Sequence, residues 1–300
     1  AYEITYGDWS SDVCSSDLRT GPPDYTVRVQ GKEIETYAFW PGGAHTAPSS
    51  FGICDIAGPV TVEVVVNFLD ASKITGVSIH PLSRGIQPKR EGSRITFQVD
   101  RPGSLTLKLN GDYNVNPLHL FFCPPVEPPP PDAIVFGPGR HVIGPEKPIE
   151  LKSGQTLYLA PGSWVEGFVR ASNATNISII GRGVLSQRLP LAQKNWQGYE
   201  DCPSGIAFDN CRNVRIEGIV VTRQHVNWNI IPINSDGVTL RDVHVVAPFG
   251  VSTDGCDPQN CRNVIIDRCF FRVNDDNVAI GGLVADGLPN ENILVTNTVF

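Results

Sequence analysis

The carboxyl-terminal half of the chain repeats a short signature: a small or amide residue, then apolar, any residue, apolar. It occurs as Asn176-Ile177-Ser178-Ile179, Asn213-Val214-Arg215-Ile216, Gly237-Val238-Thr239-Leu240, Asn263-Val264-Ile265-Ile266 and Asn292-Ile293-Leu294-Val295. Successive starts lie 37, 24, 26 and 29 residues apart, the length of one solenoid coil plus loops of varying size. Two coils match more closely, Asn210-Cys211-Arg212-Asn213-Val214 and Asn260-Cys261-Arg262-Asn263-Val264. An earlier strand is visible in several coils, as Gly205-Ile206-Ala207-Phe208, Asn229-Ile230-Ile231-Pro232 and Asn277-Val278-Ala279-Ile280. No helical period fills the gaps, so βαβ winding is disfavoured and a parallel β-helix is expected over residues 133–300.

Coils of this kind need a device that holds them in register. Asn210, Asn234 and Asn260 occupy equivalent turn positions and are expected to stack as a side-chain ladder. Cys211 and Cys261 lie two coils apart with Ser235 between them. At about 4.8 Å per strand their Cα atoms would be about 9.6 Å apart, beyond disulfide reach, so both read as buried thiols. A pairing of Cys202 with Cys211, or among Cys256, Cys261 and Cys269, stays open. The eight cysteines form no CxxC pair that would point to a zinc ribbon.

Upstream the pattern changes to short alternating strands: Tyr25 to Val29, Val60 to Val66, Val77 to Ile79, Arg94 to Val99 and Ser104 to Leu109. Such spacing predicts an antiparallel β-sandwich over residues 23–123, and 29 glycines with 25 prolines suit that all-β reading. Pro124-Pro125-Val126-Glu127-Pro128-Pro129-Pro130-Pro131 cannot join a sheet ladder, so residues 124–132 are expected to be a stiff linker. Residues 1–22 carry no clear pattern. Within them, residues 9–18 nearly duplicate Ser-Ser-Asp and resemble translated sequencing-adapter sequence, so they are set aside from fold reasoning. Methionine is absent even from position 1, and Thr298-Val299-Phe300 stops inside a repeat. A fragment, cut within the β-helix, is therefore expected.

A formal net charge of −7 argues against a partner such as nucleic acid or an anionic membrane, and no apolar run is long enough for a bilayer crossing. The densest acidic group in the repeat region is Asp254 and Asp257, followed by Asp275 and Asp276. Asp254 precedes the pair by 21 and 22 residues, close to one coil, which stacks the carboxylates on neighbouring coils. Like charges held close raise one another's proton affinity, so one carboxyl can serve as acid and another as base, the minimum for cleaving a glycosidic bond. Adjacent strand residues point to opposite faces, so Asp275 and Asp276 share a cleft only if the chain bends; Asn274 and Asn277 are the turn formers that flank them.

Thr253-Asp254-Gly255-Cys256-Asp257-Pro258, followed one coil later by Asp275-Asp276-Asn277-Val278-Ala279-Ile280, resembles glycoside hydrolase family 28, the polygalacturonase and rhamnogalacturonase group. The resemblance spans about residues 132–300 and includes Gly137-Pro138-Gly139, Tyr158-Leu159-Ala160-Pro161-Gly162 and Gly181-Arg182-Gly183-Val184-Leu185. It implies a right-handed β-helix and an inverting mechanism, with Asp275 as general acid and Asp254 and Asp276 positioning and deprotonating water. Departures are present: Ser252 replaces the Asn of Asn-Thr-Asp, Asn274 replaces the usual Gly, and Gly281-Gly282 replaces the usual Lys. The family's later Gly-His-Gly and Arg-x-Lys motifs would fall beyond Phe300. A sandwich joined to a β-helix also resembles family 49, the dextranase and isopullulanase group, which would imply a neutral α-glucan.

Arg223, His225, Trp228 and Asn229 fall one coil before Asp254 and, with Asp257, are the expected substrate-binding residues. No metal or cofactor is called for. The expected partner is a polysaccharide, most naturally a pectic polymer met by a secreted or periplasmic monomer. Two other classes remain in view: a calcium-assisted polyuronate lyase or epimerase using the same aspartates, and a non-catalytic glycan-binding solenoid.

Overall fold

A computed structural model of the chain describes residues 23–39, 48–143, 147–186, 204–222, 228–248 and 252–300. Among them regular structure is nearly all strand, with two 3-10 turns at Ala71–Lys73 and Leu82–Arg84. No helix of the described residues is long and apolar enough to cross a membrane.

Residues 25–123 form two five-stranded sheets. The first runs in the order Lys32–Ile34, Tyr25–Val29, Val60–Val66, Arg94–Val99, Lys89–Glu91, all antiparallel. The second runs Thr36–Phe39, Ser49–Asp55, Leu118–Cys123, Gly103–Leu109, Val77–His80. Alternation places Val60, Val62, Val64 and Val66 on one face, where they meet Leu105, Leu107, Leu109, Leu118 and Leu120 of the facing sheet. One pair departs from the antiparallel expectation: Leu118–Cys123 lies parallel to Ser49–Asp55. Neither of those strands stood out in the sequence, because neither alternates. All six residues of Leu118–Cys123 are buried, Leu118, Leu120 and Phe122 inside the sandwich and Phe121 against the second unit.

From Ile134 onward each coil contributes to three parallel sheets. The seven-stranded sheet stacks Ile134–Phe136, Thr156–Leu159, Thr175–Gly181, Arg212–Glu217, Asp236–Arg241, Arg262–Asp267 and Glu291–Thr296. The six-stranded sheet stacks Gly139–Val142, Ser163–Glu166, Val184–Ser186, Val220–Thr222, His244–Ala247 and Phe270–Val273. The four-stranded sheet holds Ile149–Glu150, Val169–Ser172, Ile206–Asp209 and Ile230–Ile233, and single bridges carry it on from Ile230 to Cys256 and from Cys256 to Val278. This is a parallel β-helix, and the expected repeats are its in-register core: Ile177, Val214, Val238, Val264 and Ile293 pair in sequence through the long sheet.

The register makes a sharp prediction about neighbours. Ile266 is fully buried in the core, whereas Ile265 beside it is 37% exposed. Chemical unfolding should show Ile266→Ala costing about 3 kcal/mol and Ile265→Ala under about 1 kcal/mol. Equal costs would place the strand in a different register.

The asparagines of the repeat solve a backbone problem. Asn173, Asn176, Asn210, Asn213, Asn234, Asn260, Asn263 and Asn292 all have φ between 46° and 57°, the left-handed region that asparagine tolerates. The side-chain ladder differs from the expected one. Asn210 donates to Asn173 (2.7 Å) and Asn213 to Asn176 (2.6 Å), whereas Asn234 and Asn260 accept the N–H groups of Leu288 and Val284. The segment around residues 284–288 competes for those side chains and interrupts the stack. The thiols of Cys211, Cys256, Cys261 and Cys269 are free and buried, which removes the pairings left open among them; Cys202 lies outside the described residues.

The sandwich packs its second sheet on the outer face of the six-stranded sheet. Tyr37, Phe51 and Phe121 meet Trp164, Val184, Val220, Val246 and Phe270 there. Arg182 ties the units by donating to Asp55 (2.6 Å) and to the main-chain oxygen of Pro124. His119 and His244 are enclosed in this interface, and burial pushes each down to about 3, so both stay neutral.

Candidate active site

The expected catalytic residues come together at one corner of the β-helix, where the chain passes from the six-stranded to the four-stranded sheet. Strand Phe270–Val273 ends, the chain bends at Asn274 and Asp275, and it re-enters a sheet at Val278. One coil earlier, the passage from His244–Ala247 to Cys256 carries Ser252, Thr253 and Asp254. The bend that the sequence required between the paired aspartates is therefore present.

Backbone bonds lock the two coils together at this corner. The N–H groups of Gly255 and Cys256 donate to the carbonyls of Asp276 (2.8 Å) and Asn277 (3.1 Å). Asn274 N–H donates to Thr253 Oγ1 (3.3 Å), and Ser252 N–H donates to Asp275 Oδ2 (3.0 Å). The Asp275 carboxylate is thus oriented by the coil before it while remaining exposed, as is Asp276. Gly255 is required by contact: a Cβ there would sit 2.3 Å from the Asn277 carbonyl and 2.5 Å from the Phe271 ring.

Asp254 is 6% exposed and Asp257 is 0% exposed. Asp257 Oδ1 accepts from Ala279 N–H (3.2 Å). Its Oδ2, like Asp254 Oδ1, is buried with no donor among the described residues, and the two carboxyls lie within hydrogen-bonding reach of each other. A proton shared between them satisfies both oxygens. Burial is the main cause, reinforced by the neighbouring aspartates: Asp254 is pushed up to about 6 and Asp257 up to about 8. Since the two titrate as a pair, the direction belongs to both, and near neutral pH one proton stays with them.

Two expected substrate-binding residues are buried. Asn229 is fully buried, and both its N–H (3.0 Å) and its Nδ2 (2.7 Å) donate to the main-chain oxygen of Asp254. Asp257 has no exposed surface, so in this structure neither side chain is open to a polymer. Trp228 is half-buried on the same corner one coil before Asp254. Arg223 and His225 lie outside the described residues. Sequence spacing located Asp257 but could not reveal its burial; the cue was its place three residues after Asp254, next to a buried Cys256. Among the described residues no three His, Cys, Asp or Glu side chains are grouped to hold a metal ion.

Comparison with known proteins bears on this corner. Residues 165–300 match the model of glycosyl hydrolases family 28, a span that contains all four aspartates. A probable polygalacturonase of Vitis vinifera is 28% identical over 75 residues, covering 23% of this chain and 15% of the relative, so the match spans only a small part of that protein. Among solved structures, Dex49A from Penicillium minioluteum aligns with 92% of this chain and 67% of its own, at 15% identity and a TM-score of 0.63, a likeness of fold across sandwich and β-helix together. A hyperthermoactive exopolygalacturonase from Thermotoga maritima is 24% identical over 55% of this chain and 52% of its own, with a TM-score of 0.45. By its aspartate motif and its family match, the β-helix of this chain from residue 165 onward is family 28-like.

Proposed function

We propose that the protein is an inverting glycoside hydrolase that cleaves a pectic polysaccharide, polygalacturonate or rhamnogalacturonan. The observation that carries this reading is the juxtaposition of a buried, proton-holding pair, Asp254 and Asp257, with two exposed aspartates on the next coil. Asp275 is the general acid that protonates the leaving oxygen. Asp254 and Asp276 hold the water that attacks from the opposite face, and they remove its proton. A base whose proton affinity lies near neutral pulls harder on that water than an ordinary carboxylate does, and burial gives Asp254 that property. The neutral Asp257 carboxyl steadies the Asp254 carboxylate by donating to it. A polysaccharide does not cross a membrane unaided, so the proposed setting is secreted or periplasmic.

Release of reducing ends from polygalacturonate, rhamnogalacturonan and dextran is the test. Activity on either pectic polymer is the expected result. Dextran as the sole substrate would move the assignment to a neutral α-glucan. An unsaturated, ultraviolet-absorbing product lost with chelator would replace hydrolysis by elimination, and binding with no release would leave a glycan-binding solenoid.

A further inference from the structure

Most arginines of the β-helix are matched to acids: Arg140 with Glu166, Arg182 with Asp55, Arg215 with Glu217, Arg262 with Asp236 and Arg268 with Asp242. Arg272 is not. It is half-buried, it has no carboxylate within ion-pair distance among the described residues, and its Nε is buried there without an acceptor. A cation taken out of water without a partner is costly, so its retention calls for a reason.

Arg272 sits on strand Phe270–Val273, three residues before Asp275, which puts its Cα within about 10 Å of the aspartate corner. Its side chain faces the sandwich. The guanidinium carbon lies 5.9 Å from the ring centre of Tyr113, and Lys108 Nζ lies 4.4 Å from the same ring. Lys108 comes from strand Gly103–Leu109 and Tyr113 from the turn that follows. Lys108 likewise has no acidic partner in ion-pair range among the described residues, and Tyr113 is 42% exposed. Two cations from different units thus sit over one partly exposed tyrosine ring, on the side of the site where the sandwich meets the β-helix.

We propose that Lys108, Tyr113 and Arg272 form a subsite for a carboxylate-bearing sugar unit of the polymer held at the aspartate corner. A guanidinium and an ammonium together bind a carboxylate through charge-assisted bonds, and the tyrosine ring between them holds the two cations in place by cation–π contact. This rests on the hydrolase reading of the corner and deepens it, because it supplies positive charge for an acidic substrate from the sandwich. It also gives the sandwich a task beyond packing.

Binding and turnover separate the two ideas. In full-length Asp275→Asn protein, calorimetry with a polygalacturonate oligomer should give a Kd about tenfold weaker once Lys108→Gln or Tyr113→Ala is added, since each removes one charged or ring contact. Lys108→Arg should restore binding, and a methyl-esterified oligomer should not distinguish the variants. Thermal unfolding of each variant reports on the fold independently. Equal affinity for the acidic oligomer in all variants, or no binding by any of them, overturns the subsite. Turnover is read separately in protein that keeps Asp275: loss of the subsite with normal pectic turnover there leaves the hydrolase reading intact, whereas acidic-oligomer binding without any turnover there removes that reading and keeps the subsite.

Discussion

Asp275→Asn should lower the rate of reducing-end release by about a thousandfold, the scale on which a positioned general acid acts. The substitution is nearly isosteric, and its amide oxygen can accept the same Ser252 N–H that holds the wild-type carboxylate at 3.0 Å. The side chain is exposed, so the folded state should lose little, and the melting temperature should shift by no more than about 2 °C. Rate and melting temperature measured on one preparation separate chemistry from folding. A rate within tenfold of wild type would remove Asp275 from the reaction.

The second large effect concerns Asp257. Its proton affinity is raised in the folded state, with Asp254, because burial disfavours the charged form. The native chain then binds more protons than the unfolded chain between about pH 4 and the native titrations near 6 and 8. Stability contributed by the shared proton is therefore complete at low pH and is lost as pH rises through that window. Asp257→Asn keeps an acceptor for the Ala279 N–H and presents a permanent N–H donor toward Asp254, with nothing left to ionise. It should melt within about 2 °C of wild type at pH 5 and about 5 °C higher at pH 8.5. Its activity profile should show one inflection, that of Asp254 alone, in place of the two that belong to the Asp254–Asp257 pair. Asp257→Ala, which empties the buried site and strands Asp254 without its donor, should destabilise at every pH. Identical pH profiles for wild type and Asp257→Asn would mean that no proton is shared.

The features legible in the sequence were those carried by a period. Val60–Val66 alternates because one face is buried, and the coil signature repeats because Ile177, Val214, Val238 and Val264 stack in one column. The one-coil spacing of Asp254 from Asp275 and Asp276 survived for the same reason: the bridge from Cys256 to Val278 repeats it in the backbone. Leu118–Cys123 was opaque because burial on both faces erases alternation. Asn229 and Asp257 read as surface polar residues, since a sequence does not show which side of a corner faces inward. The approach of Tyr113 to Arg272 is a product of docking two units, and no local pattern announces it.

In the proposed reaction Asp254 and Asp276 deliver water to one face of a sugar whose leaving oxygen is protonated from the other by Asp275. Proton NMR of the anomeric signals in the first minutes of polymer cleavage tests it most directly, before mutarotation scrambles the product. New reducing ends should first appear with inverted configuration, and Asp275→Asn should give no such signal. Ends that first appear with retained configuration, or cleavage that yields unsaturated rather than reducing products, would contradict it.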